Sequence, residues 1–221
     1  MTRTPKPSKT PKPTATLTPT VTPVPIAVLK TWPLGAWVEL DATVIVPPGP
    51  LGARVIVVQD ATGTMPVYLG RGAWPQGLIA GNGFHALGLT RLRGGAIEFY
   101  VRLLPQASFS PPGTVPPPTT IATGVAAQHP YEVVTVTGRV VKLEASAIWI
   151  DDGSGAVRVP FGVANGLKRP SVTRGQTITL TGLVIVQSAT TTRQAGWQIQ
   201  PRGPADVGDL AVLRPTSTPR P

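Results

Sequence analysis

Aromatic and basic residues alternate with aliphatic residues in the segment 147–161, AIWIDDGSGAVRVPF. Neighbouring residues of a β-strand point to opposite faces. If Ile148 and Ile150 point into a core, Trp149 and Arg158 lie outside on adjacent strands. An exposed indole can stack on a nucleobase, and a guanidinium can contact a phosphate. This pair is therefore the first candidate for ligand binding by stacking and charge.

The same alternation gives further candidates in the first half of the chain. It predicts that Tyr68, Tyr100 and Arg102 point outward, because Met65, Val67, Ile97, Phe99 and Val101 would fill the core. Basic residues in predicted loops and turns form a possible rim around these strands: Arg91, Arg93, Lys168, Arg169 and Arg193. Val57 occupies the position that matches Trp149, so the second half is the favoured binding unit. The alternative is that the outward aromatics pack on a loop or a neighbouring domain and that the basic residues are solvated surface.

The other reactive residue types favour structure over catalysis. The chain has two histidines, His85 and His129, and no grouping of His, Asp and Glu residues has the spacing of a metal-ligand set. Asp151 and Asp152 lie in DDGSG, where turn formation explains an acidic pair better than cation binding. We expect no enzyme activity and no cofactor. The remaining tryptophans are predicted to be structural: Trp32, Trp37, Trp74 and Trp197.

The net charge of +10 favours acidic partners, but its distribution weakens that inference. Six basic residues lie in the tails 1–25 and 214–221, which contain no acidic residue. Residues 26–107 carry six basic and four acidic side chains, and residues 121–213 carry eight and six, so each unit is only +2. With no cysteine, a disulfide framework and a thiolate metal site are excluded. No apolar run approaches the ~20 residues of a membrane-spanning helix.

Two similar halves lie between Pro-rich stretches. VELDATVIV (38–46) and VTVTGRVV (134–141) both alternate with period two, which is typical of a strand buried on one face. Each is followed by a strand–turn–strand segment, 55–69 or 147–161, with an Asp and Gly turn that favours a hairpin. A helix or irregular crossing comes next, and two further strands close each half.

The fourth strand of each half is predicted to start after Gly81 or Gly175, and a second glycine, Gly88 or Gly182, follows seven residues later. Glycine inside a strand often marks a bend in a barrel. Five strands with a crossing segment after the third are typical of an OB-fold barrel. The predicted fold is all-β, with two tandem five-stranded OB-fold barrels. Its segments are a disordered linker at 1–25, barrel 1 at 26–107, a Pro-rich linker at 108–120, barrel 2 at 121–213 and a disordered tail at 214–221.

The chain resembles the OB-fold domains of bacterial secreted and cell-surface proteins, such as those beside the catalytic domain of cell-wall-associated, sugar-nonspecific nucleases. The residues that carry the resemblance fall in both halves: VELDATVIVPPG (38–49), VVQDATGTMPVYL (57–69), AGNGFHALG (80–88), VTVTGRVVKLE (134–144), IWIDDGSGAVRVPF (148–161) and RGQTITLTG (174–182). They are turn glycines and core aliphatics, so they specify the domain type rather than a ligand. The resemblance implies nucleic-acid binding, although this sequence shows no nuclease domain.

Two functions follow as hypotheses. One is a non-catalytic module that binds nucleic acid weakly and without sequence preference, single-stranded nucleic acid above all. The other is a structural or adhesive spacer, or a module that binds wall glycan, another cell-wall polymer or a partner protein. The Pro/Thr-rich linkers and the resemblance favour an extracellular or cell-surface location. The N-terminus shows no apolar export signal, so a truncated start is also an expectation.

Overall fold

The computed structural model describes residues 22–72, 74–93, 95–162, 165–187, 196–210 and 212–213. The predicted tail 214–221 and most of the predicted linker 1–25 lie outside these residues. Strands dominate the structure, at 53% of residues against 10% in helices. No helix in the described part of the chain is long and apolar enough to cross a membrane.

The first barrel is a closed sheet of five strands. The strands are β1 (Trp37–Val46), β2 (Val55–Asp60), β3 (Gly63–Arg71), β4 (Asn82–Arg93) and β5 (Ala96–Leu103). Their order is β1-β2-β3-β5-β4, and β4 pairs back onto β1. Leu40, Ile56, Val67 and Phe99 are among the fully buried side chains of the core, as strand alternation predicts.

The long strand β4 serves both sides of the barrel. Its first half pairs with β1 up to Leu89, and its last residues pair with β5 from Leu89 onward. Gly88 lies at the change of partner. A Cβ atom there would lie 2.6 Å from the Phe99 ring and 2.7 Å from the Tyr100 carbonyl oxygen. Close packing at the bend therefore requires glycine at this position.

Two strands follow the first barrel, β6 (Ala107–Pro112) and β7 (Thr119–Thr120). The second barrel begins with β8 (Val133–Glu144). The second barrel continues with β9 (Ala147–Asp151), β10 (Val157–Pro160), β12 (Thr177–Gln187) and β13 (Gly196–Gln200). Strands β11 (Leu167–Lys168) and β14 (Val212–Leu213) pair with each other in a separate two-stranded sheet. Strands β8, β9, β10, β13 and β12 close in the same order as the first barrel. The prediction of two tandem OB-fold barrels is confirmed.

A short helical turn precedes the first strand of each barrel, an element that the sequence did not indicate. It is the helix α1 (Ile26–Leu29) in barrel 1 and the 3-10 helix Thr123–Gln128 in barrel 2. The amide of Ile26 donates to Asp60 Oδ2 at 2.7 Å, and the amide of Thr123 donates to Asp152 Oδ2 at 3.1 Å. The Asp of each hairpin turn therefore also anchors the helical turn. Three further 3-10 turns are Leu104–Gln106, Pro204–Asp206 and Gly208–Leu210.

Part of the stretch expected as a linker belongs to the barrels. Strand β6 pairs with the half of β4 that β5 leaves uncovered, and β7 pairs with β8. Phe109 packs on Phe84, with ring centroids 5.5 Å apart, and on Trp74. An uncovered strand edge attracts a partner, which explains why this Pro-rich stretch adds to the sheet. The continuous connection shortens to the residues between Pro112 and Thr119.

The two barrels contact each other directly. A ridge at the β1–β2 bulge of barrel 1, made of Ile45, Val46 and Val57, packs on a seat in barrel 2 made of Val133, Leu183 and Ile185. Hydrogen bonds from three side chains flank this contact, and one of them runs from Thr64 Oγ1 to the Pro130 carbonyl at 3.1 Å. Gln200 Nε2 donates to the Pro50 carbonyl at 2.7 Å, and Arg202 Nη1 donates to the Ile45 carbonyl at 3.3 Å.

Candidate functional site

The outer face of barrel 1 brings together a group that we call the tyrosine–arginine cluster: Tyr68, Tyr100, Arg91, Arg93 and Glu98. Tyr68 on β3 and Tyr100 on β5 are partners in a parallel pair of strands. Their ring centroids are 5.9 Å apart with a tilt of 43°. Both rings are half-buried. Alternation along β3 and β5 therefore places two aromatic rings side by side on the outside, as the sequence predicts.

Two arginines lie over these rings. The end of β4 runs beside β5, and its alternate residues Arg91 and Arg93 point to the same outer face. The Arg91 guanidinium lies 4.0 Å from the Tyr100 centroid and 4.9 Å from that of Tyr68. The Arg93 guanidinium lies 4.8 Å from the Tyr68 centroid. These distances are typical of cation–π contacts.

Glu98 holds the arginines in position, and the sequence reasoning missed it. Its side chain is only 7% exposed, and its Oε1 accepts from Arg91 Nε at 2.6 Å. Its Oε2 lies 3.8 Å from Arg93 Nη1. Glu98 shares the outward parity of Tyr100 and Arg102 on β5, so alternation provided the signal. Two arginines and one glutamate give the cluster a charge of +1, and the exposed Arg102 continues the basic strip.

A groove of about 390 Å³ runs from this cluster toward barrel 2. Arg93, Glu98 and Pro66 line its barrel 1 side, and Tyr131 and Ile185 line the other. Tyr131 has a φ of 61°, which is rare for a residue with a side chain. Burial, and secondarily the negative charge of Glu98, raise the pKa of its phenol. The phenol is therefore protonated at neutral pH.

Trp149 and Arg158, the first candidate pair, are adjacent as predicted, but Arg158 is buried. Trp149 and Arg158 are partners on β9 and β10 and lie outside the core. Arg158, however, is only 5% exposed. Its Nε donates to Glu144 Oε2 at 3.1 Å, and its Nη1 donates to Gln198 Oε1 at 2.7 Å. Outward orientation thus did not mean exposure: this guanidinium is held by protein partners instead of facing solvent.

Glu144 organises the outer face of barrel 2. Its Oε1 accepts from the Trp149 indole at 2.9 Å and lies 3.3 Å from Lys142 Nζ. Lys142 Nζ lies 5.4 Å from the centre of the Trp149 ring. Hydrogen bonds from Trp149, Arg158 and Lys142 lower the pKa of Glu144 to about 2. The half-buried indole is thus held beside a carboxylate that is ionised at neutral pH and paired with Lys142 and Arg158.

The remaining basic candidates are not gathered into one site. Lys168 is exposed on β11 and Arg169 is half-buried, with Nη1 3.4 Å from the Pro170 carbonyl. Arg193 lies outside the described residues. The structure therefore brings Tyr68, Tyr100, Arg91 and Arg93 together, with Arg102 exposed on the same strand as Tyr100, while the candidates Trp149, Arg158, Lys168 and Arg169 belong to barrel 2.

The tryptophans expected to be structural divide into two groups. Trp32 and Trp74 pack on the core of barrel 1, and Trp197 packs on that of barrel 2. Trp37 departs from the expectation, because 48% of it is exposed on the outside of β1. It precedes Val38, which is buried, so alternation along the strand places its indole on the outer face.

The acidic pair at the second hairpin forms turn hydrogen bonds. Asp151 Oδ1 accepts from the Gly153 amide at 2.7 Å, and Asp152 Oδ1 accepts from the Ser154 amide at 3.0 Å. Hydrogen bonds from Ser154, and then from Thr123, lower the pKa of Asp152 well below its usual range. Across the residues that the structure describes, no group of three His, Cys, Asp or Glu side chains could hold a metal ion.

Comparison with known proteins gives low similarity. No protein-family model and no curated protein matches the chain. Similar solved structures include the p204 HINb domain, with 14% identity, a TM-score of 0.30 and coverage of 66% of this chain and 78% of that one. The p202 HIN1 domain in complex with 12-mer dsDNA has 10% identity, a TM-score of 0.34 and coverage of 80% and 91%.

A multidomain protein with nucleic acid binding domains from Streptococcus pneumoniae TIGR4 has 12% identity and a TM-score of 0.21. The match covers 73% of the present chain and 45% of the chain of that protein. Similarity at this level carries no argument about function, which rests on the geometry of the chain itself.

Proposed function

We propose that this chain is a non-catalytic module that binds single-stranded nucleic acid through the tyrosine–arginine cluster of barrel 1. The observation that carries the proposal is the packing of Arg91 over Tyr68 and Tyr100 on the outer face of the barrel. Single strands are bound by positive grooves in which bases stack on aromatic rings and on arginine. The cluster offers both kinds of surface within a few ångströms.

The site fits a flexible strand better than a rigid duplex. The groove beside Arg93 is concave, and its walls come from both barrels. An unpaired strand can turn a base into such a groove while its phosphates stay on the basic strip. The tyrosines and arginines can contact any of the four bases, because stacking uses the ring face that every base has. The proposal therefore includes no sequence preference.

The affinity follows from the size of the cluster. Stacking of one base on an aromatic side chain contributes about 1–3 kcal/mol. One tyrosine pair with two arginines partly neutralised by Glu98 therefore supports weak, salt-dependent binding. Because Glu98 is paired with those two arginines, we assign it no role as an acid or a base. The proposed interactions with the ligand are hydrogen bonding and stacking, without a reaction step.

The alternative is a structural spacer, and the contact between the barrels favours it. The ridge and seat give the pair an apolar interface with fully buried residues such as Val46 and Leu183. A rigid pair of barrels suits a stalk or an adhesive platform for wall glycan or a partner protein. The extracellular or cell-surface location and the link with a nuclease stay predictions.

Fluorescence anisotropy with a labelled oligo-dT strand at two salt concentrations tests the proposed function. We expect Tyr68→Ala and Tyr100→Ala each to weaken binding about tenfold, because each removes one stacking surface. We expect Arg93→Ala to lower the salt dependence by about one counterion. Trp149→Ala is the matched control on barrel 2 and keeps wild-type affinity.

Each contrary result has a definite meaning. Absence of binding below about 100 μM (weaker than about −5.5 kcal/mol) contradicts the proposed function and favours the spacer. Binding that is lost in Trp149→Ala but kept in Tyr100→Ala moves the site to barrel 2. Circular dichroism of each variant shows whether its barrels remain folded.

A further inference from the structure

A second cavity, of about 310 Å³, adjoins the groove beside Arg93. Four residues line both cavities: Pro66, Ala96, Tyr131 and Val186. The second cavity, which we call the apolar compartment, is also lined by Ile97 of barrel 1 and Trp197 of barrel 2. Ligand sites in proteins enclose about 300–1,000 Å³ and have mostly apolar walls. The compartment is therefore large enough to hold part of a ligand that also occupies the groove.

Both barrels contribute apolar surface to the compartment. Trp197 packs on the core of barrel 2 and also lines the compartment. Its strand partner Val186 is 39% exposed. Ile97 on β5 packs on the core of barrel 1 and lines the compartment as well. An indole beside aliphatic side chains is a surface on which the flat ring of a base can stack.

Tyr131 lies where the two cavities meet, and contacts from both barrels fix its backbone. Among the residues that the structure describes, it alone combines a side chain with a positive φ. Its amide donates to the Val184 carbonyl at 2.9 Å. The carbonyl of the preceding Pro130 accepts from Thr64 Oγ1 of barrel 1 at 3.1 Å. A backbone conformation of this kind persists only where its surroundings hold it, and it is common at ligand-binding sites.

The charges of the two cavities distinguish between two kinds of extended ligand. Lys30 lines the compartment and Arg93 lines the groove, where the carboxylate of Glu98 is paired with Arg91. Adjoining cavities with a cation in each match a strand in which phosphates alternate with flat bases. They match the Pro/Thr-rich segment 1–25 of this chain poorly, because that segment carries four basic residues and no acidic one.

We propose that the apolar compartment is a second base subsite. A strand held by the tyrosine–arginine cluster would place one further base against Tyr131 and Trp197, with Lys30 contacting a neighbouring phosphate. This inference rests on the proposed function and extends it from barrel 1 to the junction of the two barrels. A strand that fills both sites therefore needs both barrels, whereas a shorter strand needs the cluster alone.

Fluorescence anisotropy with labelled oligo-dT strands of two lengths, at low salt, tests this inference. Site sizes of OB-fold barrels begin at about 4 nucleotides, so a strand of about 4 occupies the cluster and one of about 12 reaches the compartment. Val186→Glu places a carboxylate in the compartment on a residue that is already partly exposed. We expect it to weaken binding of the longer strand about tenfold, by removing one stacking site, and to leave the shorter strand unaffected.

Lys30→Ala probes the phosphate contact. We expect it to lower the salt dependence of the longer strand by about one counterion and to leave that of the shorter strand unchanged. The matched control is Ile79→Glu, which places the same charge as Val186→Glu on a residue that is 52% exposed and lines neither cavity. It binds both strands as wild type does. If Val186→Glu fails to fold by circular dichroism, Lys30→Glu replaces it, since Lys30 is exposed.

The outcomes separate this inference from the proposed function. A longer strand that binds Val186→Glu as tightly as wild type overturns the second subsite and leaves the cluster in place. An equal loss for both strands also overturns it, because the compartment would then not be a separate subsite. If neither strand binds to wild type, both proposals fail. A labelled peptide of residues 1–25 that binds wild type but not Val186→Glu would assign the compartment to a proline-rich ligand and overturn the assignment to a base.

Discussion

The two barrels share one topology and differ in what the same outer position does. Val57 in barrel 1 and Trp149 in barrel 2 each follow the bulge of the first strand on the second strand. Val57 is fully buried beneath barrel 2. Trp149 stays half-exposed and donates to Glu144. The fold therefore fixes the place of a side chain, and the neighbouring barrel decides whether it is core or surface.

The largest effect is expected from placing in barrel 1 the lysine that barrel 2 carries at the matching bulge position, where Lys142 corresponds to Val46. Val46→Lys places an ammonium group in the apolar cluster between the barrels, where Val46 is fully buried. An uncompensated buried charge costs about 3–5 kcal/mol. Urea denaturation should show that loss of stability, together with separate transitions for the two barrels, since the contact that couples them is broken.

The reverse exchange is the matched control. Lys142→Val removes an exposed lysine from the corresponding position of barrel 2. A surface ion pair contributes about 0–1 kcal/mol, so the free energy of unfolding should change little. Equal losses in the two variants would show that the bulge position of barrel 2 is as buried as that of barrel 1, and the contrast between the barrels would fail.

The second prediction tests whether the two barrels are packed as similarly at the bend of their fourth strands as their shared topology suggests. Gly88→Ala places a Cβ atom 2.6 Å from the Phe99 ring, and Gly182→Ala places one 2.7 Å from Ile199. Both also meet a carbonyl oxygen, at 2.7 and 2.8 Å. Overpacking of this kind costs about 1–3 kcal/mol, and we expect the upper end in both barrels.

Gly196→Ala is the control for this pair, because a Cβ atom there meets nothing within 4 Å. Thermal unfolding of the three variants measures the difference. A loss confined to one barrel would mean that the two bends are packed differently, despite the shared change of strand partner.

Strand alternation and the internal repeat were enough to predict the fold, because both report directly on which face of a strand is buried. Leu40 and Ile150 are buried as their parity requires. The repeated Gly88 and Gly182 marked the bends. The strand Ala107–Pro112 was missed because its prolines suggested a spacer, although Ala107 and Phe109 alternate inward in it.

The candidate site was only partly predictable. Parity gave Tyr68 and Tyr100 correctly, and their contact follows from the pairing of β3 with β5. The burial of Arg158 depends on Glu144, a residue 14 positions away, and the role of Glu98 depends on how β4 and β5 align. Contacts of this kind arise from strand register and cannot be seen in either strand alone.

The smallest effect is expected from Glu144, the carboxylate that pairs with Arg158 on the outer face of barrel 2. Glu144→Gln keeps the shape of the side chain and removes its charge, so the buried Arg158 loses its ion pair. We expect a loss of about 2 kcal/mol at neutral pH, within the range for hydrogen bonds to charged groups. The loss should depend on pH, because folding lowers the pKa of Glu144 from its usual 4.5 to about 2.

The sign follows from linkage: a carboxylate whose pKa falls on folding stabilises the protein above its unfolded pKa and stops doing so as the pH drops through the folded value. The stability difference between wild type and Glu144→Gln is therefore full above about pH 4.5 and shrinks toward pH 2. Thermal unfolding of both proteins across that range measures it. A difference that stays constant with pH would mean that the ionised carboxylate of Glu144 does not stabilise the folded state, and the ion-pair explanation of the outer face of barrel 2 would fail.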